Sequence, residues 1–351
     1  MNPNFKSDVY NLAARMNPAI ERRSWQRAIA AHVLAGSRRV DPSKIAREAW
    51  PDDHRAHLIT RGAVTPTTTA NFPTYDPVVA YRSLAPSSAA LALFDLALKL
   101  DLDGATTICI PSFAAMPVQP VFVEEGKPAP NVQWDFAATV LGPARKILML
   151  SAVTADLETA TPETASAVIG RVLSDVANRG IDATAFGTAA ADDAQPAGLL
   201  HNVTPIAAAA AGPDAMVQDL GNLTGAIGEA GIDPNGAVFV CGSREATIIK
   251  TKVGGKFDYP VLTTLGLAAK SVACFASAGV ASGYQDVPSI ETRKSPALHF
   301  EDTDPADISS GGVAAPVKSL FQTDLISIRV RANCAWAVAK GAAQVITAVN
   351  W

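Results

Sequence analysis

Residues 131–186 read NVQWDFAATVLGPARKILMLSAVTADLETATPETASAVIGRVLSDVANRGIDATAF, and two periodicities follow one another along them. In 131–141, Val132, Trp134, Phe136, Ala138 and Val140 share one face, and Asn131, Gln133, Asp135 and Thr139 share the other. That period of two belongs to a half-buried strand. A shorter apolar run at 118–123 precedes it, across Glu124-Glu125-Gly126-Lys127-Pro128-Ala129-Pro130. One glycine and two prolines there forbid continuous ladder pairing, so the stretch predicts a long, projecting hairpin. A third strand is expected over 146–153. Thr161-Pro162-Glu163 then supplies a hydroxyl cap, a proline in the first helical position and an acid at the positive end of the dipole. Ala165, Val168, Ile169, Val172, Leu173, Val176 and Ala177 recur at helical steps, with Ser174, Asp175, Asn178, Arg179 and Asp182 opposite them. At about 1.5 Å per residue, the roughly 25 residues to Phe186 make a rod of about 38 Å.

Outward from this segment the chain stays ordered. Helical spacing runs through Leu91, Phe94, Leu98 and Leu102, predicting a helix over 87–102. From 207 to 312 helices and strands alternate as in a small α/β unit. A helix at 214–230 is closed by Gly231, a buried strand lies at 237–241, a second helix starts at its cap Ser243 and runs to 252, and another strand spans 271–276. Near the end, FQTDLISIRVR (321–331), AWAV (335–338) and QVITAV (344–349) read as closing strands. By contrast, 65–77 (TPTTTANFPTYDP) has three prolines and five threonines without an apolar period, and reads as an extended connector.

Hairpin, strand, long helix, the following Pro196-Ala197-Gly198-Leu199-Leu200 and the closing strands resemble, in matching order, the major capsid protein of tailed bacteriophages, the Hong Kong 97 family. The likeness covers about 91–351 and rests on the order of elements; residues 1–90 fit only loosely, as an N-terminal arm. It implies an α+β fold with that arm and its connector (1–90). A peripheral domain would take 91–200 and 321–351, with an extended loop at 115–142 and a spine helix at 161–187. An axial α/β domain would take 201–320. The function implied is structural: copies assemble as hexamers and pentamers into an icosahedral head around double-stranded DNA in the host bacterial cytoplasm, with a portal and scaffold or decoration proteins as further partners. Assembly contacts are expected from the loop residues Glu124, Glu125, Gly126, Lys127, Trp134 and Phe136. Some relatives carry a cross-linking lysine on this loop. Lys127, between acidic Glu125–Gly126 and Pro128, is expected to keep its charge and form no amide.

Composition agrees with this reading. Apolar content is 48% and aromatic content only 6%, enough to bury a sizeable core. No apolar run reaches membrane-spanning length, and 1–27 has scattered basic residues without the central apolar block of a secretory signal. Residues 1–60 hold ten Lys or Arg against six Asp or Glu, so the remainder carries −8 of the net −4. Arg22, Arg23 and Arg27 dominate that basic segment. They belong either to a solvated helix whose Trp25, Ile29, Val33 and Leu34 pack on a neighbour, or to an arm that latches onto an acidic body or faces packaged DNA without reading bases. Cys109, Cys241, Cys274 and Cys334 are far apart in apolar runs and read as buried free thiols.

An enzyme reading finds little. Asp52-Asp53-His54-Arg55-Ala56-His57 lacks the His-Glu-x-x-His arrangement and a third ligand. Gly225–Gly231 holds three glycines but follows a helix rather than a strand. Neither a Gly-x-Ser-x-Gly elbow nor a phosphate loop is present. Glu124 and Glu125 are adjacent in sequence and point apart on a strand. No catalytic, cofactor or metal site is expected. The alternatives are an encapsulin-like compartment shell, which shares the fold but encloses a cargo protein, and an α/β enzyme whose motifs are not legible.

Overall fold

A computed structural model describes residues 18–38, 40–62, 85, 87–103, 105–113, 123, 125, 136–154, 162–253, 257–293, 297–298, 318–320 and 323–351. The 65–77 connector, Glu124, Gly126, Lys127 and Trp134 lie outside them. Along the chain come α1 (Pro18–Arg38), α2 (Pro42–Ala49), α3 (His54–Gly62), α4 (Ala89–Leu96), β1 (Leu98–Asp101), β2 (Ile108–Phe113), β3 (Phe136–Leu141), β4 (Arg145–Thr154) and α5 (Pro162–Ala185). They continue with α6 (Ala215–Glu229), β5 (Ala237–Cys241), α7 (Ser243–Val253), β6 (Val261–Thr263), β7 (Val272–Ala276), β8 (Val280–Arg293), β9 (Ala297–Leu298), β10 (Lys318–Ser319), β11 (Leu325–Val338) and β12 (Ala343–Ile346). The chain divides into two units. One comprises Met1–Pro86, Ile147–Ala177 and Val287–Ala332; the other comprises Ser87–Lys146, Asn178–Asp286 and Asn333–Trp351.

In the first unit, α1 packs against α2 and α3. Asp41 caps α2 by accepting from the Ser43 N–H at 2.8 Å, and Pro42 fills the first turn, where a missing N–H costs nothing. Ala28, Ile29, Ala30, Ala31, Val33 and Leu34 are all buried. So dense a run goes round the helix, so the 28–35 stretch of α1 is enclosed. Of the apolar residues expected to pack on a neighbour, Ile29, Val33 and Leu34 are buried within the single chain, in the helix that packs on α2 and α3; the Trp25 side chain lies outside the described residues.

In the second unit, a four-stranded sheet has the order β12-β7-β5-β6. Strands β5 (AVFVC) and β7 (VACFA) are buried at every position, the pattern of strands covered on both faces. They pair antiparallel from Ala237↔Ala276 to Cys241↔Val272. Helix α6 lays Met216, Leu220, Leu223 and Ile227 into the same core, and Gly231, at φ +80°, supplies the left-handed turn that ends it. The closing strand β12 pairs antiparallel with β7. Expected in the peripheral domain with the rest of 321–351, it lies at the edge of the α/β sheet, where Ile346 joins the core of α6, β5 and β7. A second sheet has the order β1-β8-β11-β4, and β1 runs parallel to β8 from Leu98↔Ala281 to Asp101↔Tyr284.

Three expectations change in detail. The helix predicted over 87–102 stops at Leu96 and gives way to β1, although Leu98 and Leu102 keep the helical spacing. The strand opposite β3 is β2, in register from Ile108↔Leu141 to Phe113↔Phe136, a pairing not expected from the sequence; 118–122 and 131–135 lie outside the described residues. The long helix α5 is present but turned: Leu173 and Ala177 are buried as expected, while Val176 is exposed and Ser174 and Asp182 are buried. Asp182 can go inside because its carboxylate is fully engaged. It accepts from Ser88 Oγ, the backbone N–H of Ala89 (3.2 Å) and Ala90 (3.0 Å), and Thr264 Oγ1 (2.7 Å).

Candidate assembly surfaces

The basic residues of α1 do not act as one face. Arg23 is exposed. Arg27 turns inward: its Nη1 lies 2.9 Å from Asp53 Oδ2, and its guanidinium sits 5.8 Å from the Trp50 ring centre. Asp53 also accepts from Ser24 Oγ at 2.8 Å and the Ala56 N–H at 3.0 Å. Burial alone would raise the Asp53 pKa, but the hydrogen bonds from Ala56, Ser24 and Arg27 outweigh it and hold the carboxyl below its usual range. Arg22 lies in α1; its side chain is outside the described residues.

The paired histidines are accounted for locally. His57 Nε2 donates towards the carbonyls of Trp50 (2.9 Å) and Ala46 (3.2 Å), closing the end of α2, while His54 is exposed and meets it edge-on. Asp53, one of their neighbouring carboxylates, is spent on Arg27. Among the described residues no cluster of three metal-ligating side chains occurs.

At the hairpin, Glu125 is exposed in a turn and Val123 is exposed beside it. Phe136 stands opposite Phe113 in register. The face of β3 that carries the apolar stripe points outward: Ala138 is exposed and Val140 is 52% exposed. Leu141, on the opposite parity, is fully buried with Leu102, Ala281 and Ala335. The apolar stripe read from the sequence is thus exposed at Ala138 and Val140 in the single chain. Cys109, expected buried, is exposed on β2, where its half-buried neighbours Ile108 and Ile110 take the inner positions. The other three cysteines are buried, and desolvation pushes the thiols of Cys274 and Cys334 up to about 12; at Cys241 burial and then Glu245 do the same against the opposing charge of Lys250. Thiols held so far from ionisation are poor nucleophiles.

Beside β3, in the second unit, lies a groove of about 530 Å³ bordered by Val140, Arg145, Pro196, Leu199, His201 and Trp336. Trp336 is fixed there, donating from Nε1 to the Ala197 carbonyl at 2.8 Å and stacking on Phe94 at 5.7 Å. Arg145 reaches Asp193 at 3.7 Å. No carboxylate, serine or cysteine lines the groove, so it offers apolar contact and positive charge rather than a nucleophile with its base. The other exposed large apolar side chains include Leu148 and Leu150 in the first unit and Val217 and Leu265 in the second. None of these four was singled out in the sequence, because each sits in an ordinary amphipathic or loop context.

No protein-family model matches the chain, and no curated protein matches it. Solved structures do. One from Mycobacterium phage Adephagia is 15% identical over 74% of this chain and 90% of that chain, with a TM-score of 0.51. Another, the satellite phage P4 procapsid including size determination protein, is 10% identical over 81% of this chain and 94% of that chain, with a TM-score of 0.49. The capsid of an empty GTA particle is 14% identical over 82% of this chain and 95% of that chain, with a TM-score of 0.47. With the Adephagia structure the chain shares its fold, an α+β fold of the Hong Kong 97 capsid type.

Proposed function

We propose that this chain is a structural subunit, the major capsid protein of a tailed phage, which assembles as hexamers and pentamers into an icosahedral head around double-stranded DNA. The observation that carries the reading is the fold shared with the phage protein over 90% of that chain. The surfaces support it: β3 turns an apolar stripe to solvent in the single chain, including Val140 at 52% exposure, and such a stripe is covered when copies meet. In this reading 1–90 serves as the N-terminal region, 91–200 and most of 321–351 as the peripheral domain, and 201–320 with the closing strand as the axial domain. Glu124, Glu125, Gly126, Lys127, Trp134 and Phe136 on the hairpin make contacts between copies. Arg22 and Arg23 face DNA or a neighbouring copy, while Arg27 supports them from inside. Portal, scaffold and decoration proteins are the further partners, and the virion is the destination.

The test is to purify the chain produced alone and image it by electron microscopy across a range of salt and protein concentrations. Closed shells, or rings of five and six, are the expected outcome. A monodisperse monomer or dimer under every condition would overturn the proposal.

A further inference from the structure

Among the described residues the most exposed large apolar side chain is Leu265, at 73%, and the residues on either side of it are held tightly. Thr264 is buried. Its Oγ1 donates to Asp182 Oδ2 at 2.7 Å and accepts from the Gly266 N–H at 2.9 Å, and its own N–H donates to the Cys241 carbonyl at 3.0 Å. Gly266 is pressed onto α5: a Cβ there would stand 2.5 Å from the Asp182 carbonyl oxygen and 2.9 Å from the Ala183 nitrogen. Only glycine fits at that distance. The carboxylate doing the anchoring is the same one that receives Ser88 Oγ and the first N–H groups of α4, so the loop is tied to two helices through one buried group.

A single exposed leucine ordinarily calls for no explanation. Here the chain fixes the residues before and after Leu265 and leaves Leu265 itself mostly in solvent. A loop ordered only for the sake of its own fold gains by turning such a side chain inward. Held outward and already ordered, the side chain loses little freedom on meeting a partner, which is how a small apolar anchor comes to dominate an interface.

We propose that Leu265 is an inter-subunit anchor, a preorganised knob that the Asp182–Thr264–Gly266 contacts hold out for insertion into a second copy of this chain. The inference rests on the self-assembling role proposed above, from which the identity of the partner follows: in a shell every copy presents the same loop to a copy, a head-to-tail contact that closes into rings.

Three variants and one cross-link test it. Leu265→Asp should melt within about 1 °C of the wild-type subunit, because the side chain is not part of the core, yet raise the concentration needed for assembly by about tenfold or more. Leu265→Ser should do the same more mildly. Thr264→Val, which leaves Asp182 Oδ2 only the Ala89 N–H as donor, should lower both melting temperature and assembly, whereas Thr264→Ser keeps the hydroxyl and should restore both. A photoreactive benzoylphenylalanine placed at position 265 should cross-link assembled wild-type-like particles into a band of twice the chain mass on a denaturing gel. Normal assembly of Leu265→Asp and Leu265→Ser, or absence of that band from assembled particles, would sink the anchor while leaving the capsid reading intact. If the wild-type chain forms no assembly at all, both fall together.

Discussion

The α/β sheet of the second unit and the helical bundle at 18–62 are both closely packed, but different forces close them. Strands β5 and β7 carry no polar side chain apart from the cysteine thiols, and Phe239 sits among Phe257 at 5.4 Å and Tyr259 at 5.8 Å, with ring pairs tilted or edge-on. The bundle instead is laced with polar groups: Asp53 gathers Ser24, Arg27 and the Ala56 N–H, Thr60 Oγ1 donates to the Ala56 carbonyl at 2.6 Å, and His32 is buried with its Nε2 lacking a partner. Apolar burial holds no charge to be screened or titrated, whereas charged hydrogen bonds and a buried imidazole do. One region should therefore answer only to packing and the other to solution conditions.

The strongest way to break this contrast is to damage the sheet. Replacing Phe239 by Ala removes a fully buried ring and should cost about 3–5 kcal/mol. The loss should be nearly the same at pH 8 and pH 5 and in low and high salt. Hydrogen exchange should quicken in β5, β7 and α6. Strong pH dependence of that loss would mean that ionisable groups, not apolar area, govern the sheet after all.

How far this contrast could be read from the sequence differs by region for physical reasons. Strand β5 lies where it was expected, and α6 lies within one residue of expectation at each end, where Gly231 at φ +80° is a chemical stop signal. Strand β2 was not foreseen because Pro111 interrupts 108–113; proline removes a ladder donor and is admitted only at edges or strand ends, and a two-stranded ribbon has edges on both sides. The stripe on β3 was legible as a stripe, but patterning alone does not say whether its apolar face meets this chain or another. Arg27 illustrates the other limit. Its charge was visible, but its partner Asp53 is 26 positions away, and nothing local announces that pair. Asp182 looked like a solvent-facing helix residue for the same reason: Ser88 and Thr264, which satisfy it, lie more than eighty positions off.

Acid offers the second test, on the bundle alone. Burial lowers the His32 pKa from 6.5 to about 4, against smaller raising effects from Asp41 and the Thr60 backbone. The folded-state value is depressed, so between pH 6.5 and 4 the unfolded chain binds a proton that the folded chain refuses. Stability is then fully present above about pH 6.5 and falls as the pH drops, by roughly 3 kcal/mol once the pH reaches about 4. Asp53, whose folded pKa is also lowered, adds a loss in the same direction at still lower pH. Hydrogen exchange of α1–α3 peptides should rise across this window while that of β5 and β7 holds, and His32→Leu should flatten the slope. Equal loosening of both regions, or an unchanged slope in His32→Leu, would show that the bundle's polar seams do not set its acid response.

The smallest expected effect bears on the sheet unit from its outer side. Helix α6 carries Gly221, Gly225 and Gly228 at exposed positions, and a Cβ added at any of them would have no atom of the described chain within 4 Å outside its own helix and immediate neighbours. Glycine in a helix interior costs up to about 1 kcal/mol relative to alanine, through backbone entropy lost on folding. Since no close approach in the subunit requires glycine at these positions, Gly225→Ala should raise the stability of the isolated subunit by up to about 1 kcal/mol, with Gly221→Ala adding a similar amount. The gain should be independent of pH, as befits a region closed by apolar packing, and should appear as slower exchange in α6 without change in α1–α3. A loss on Gly225→Ala, measured by denaturant unfolding of the dissociated subunit, would mean that this face of α6 is not open in the single chain and that packing around the sheet extends further than its buried strands.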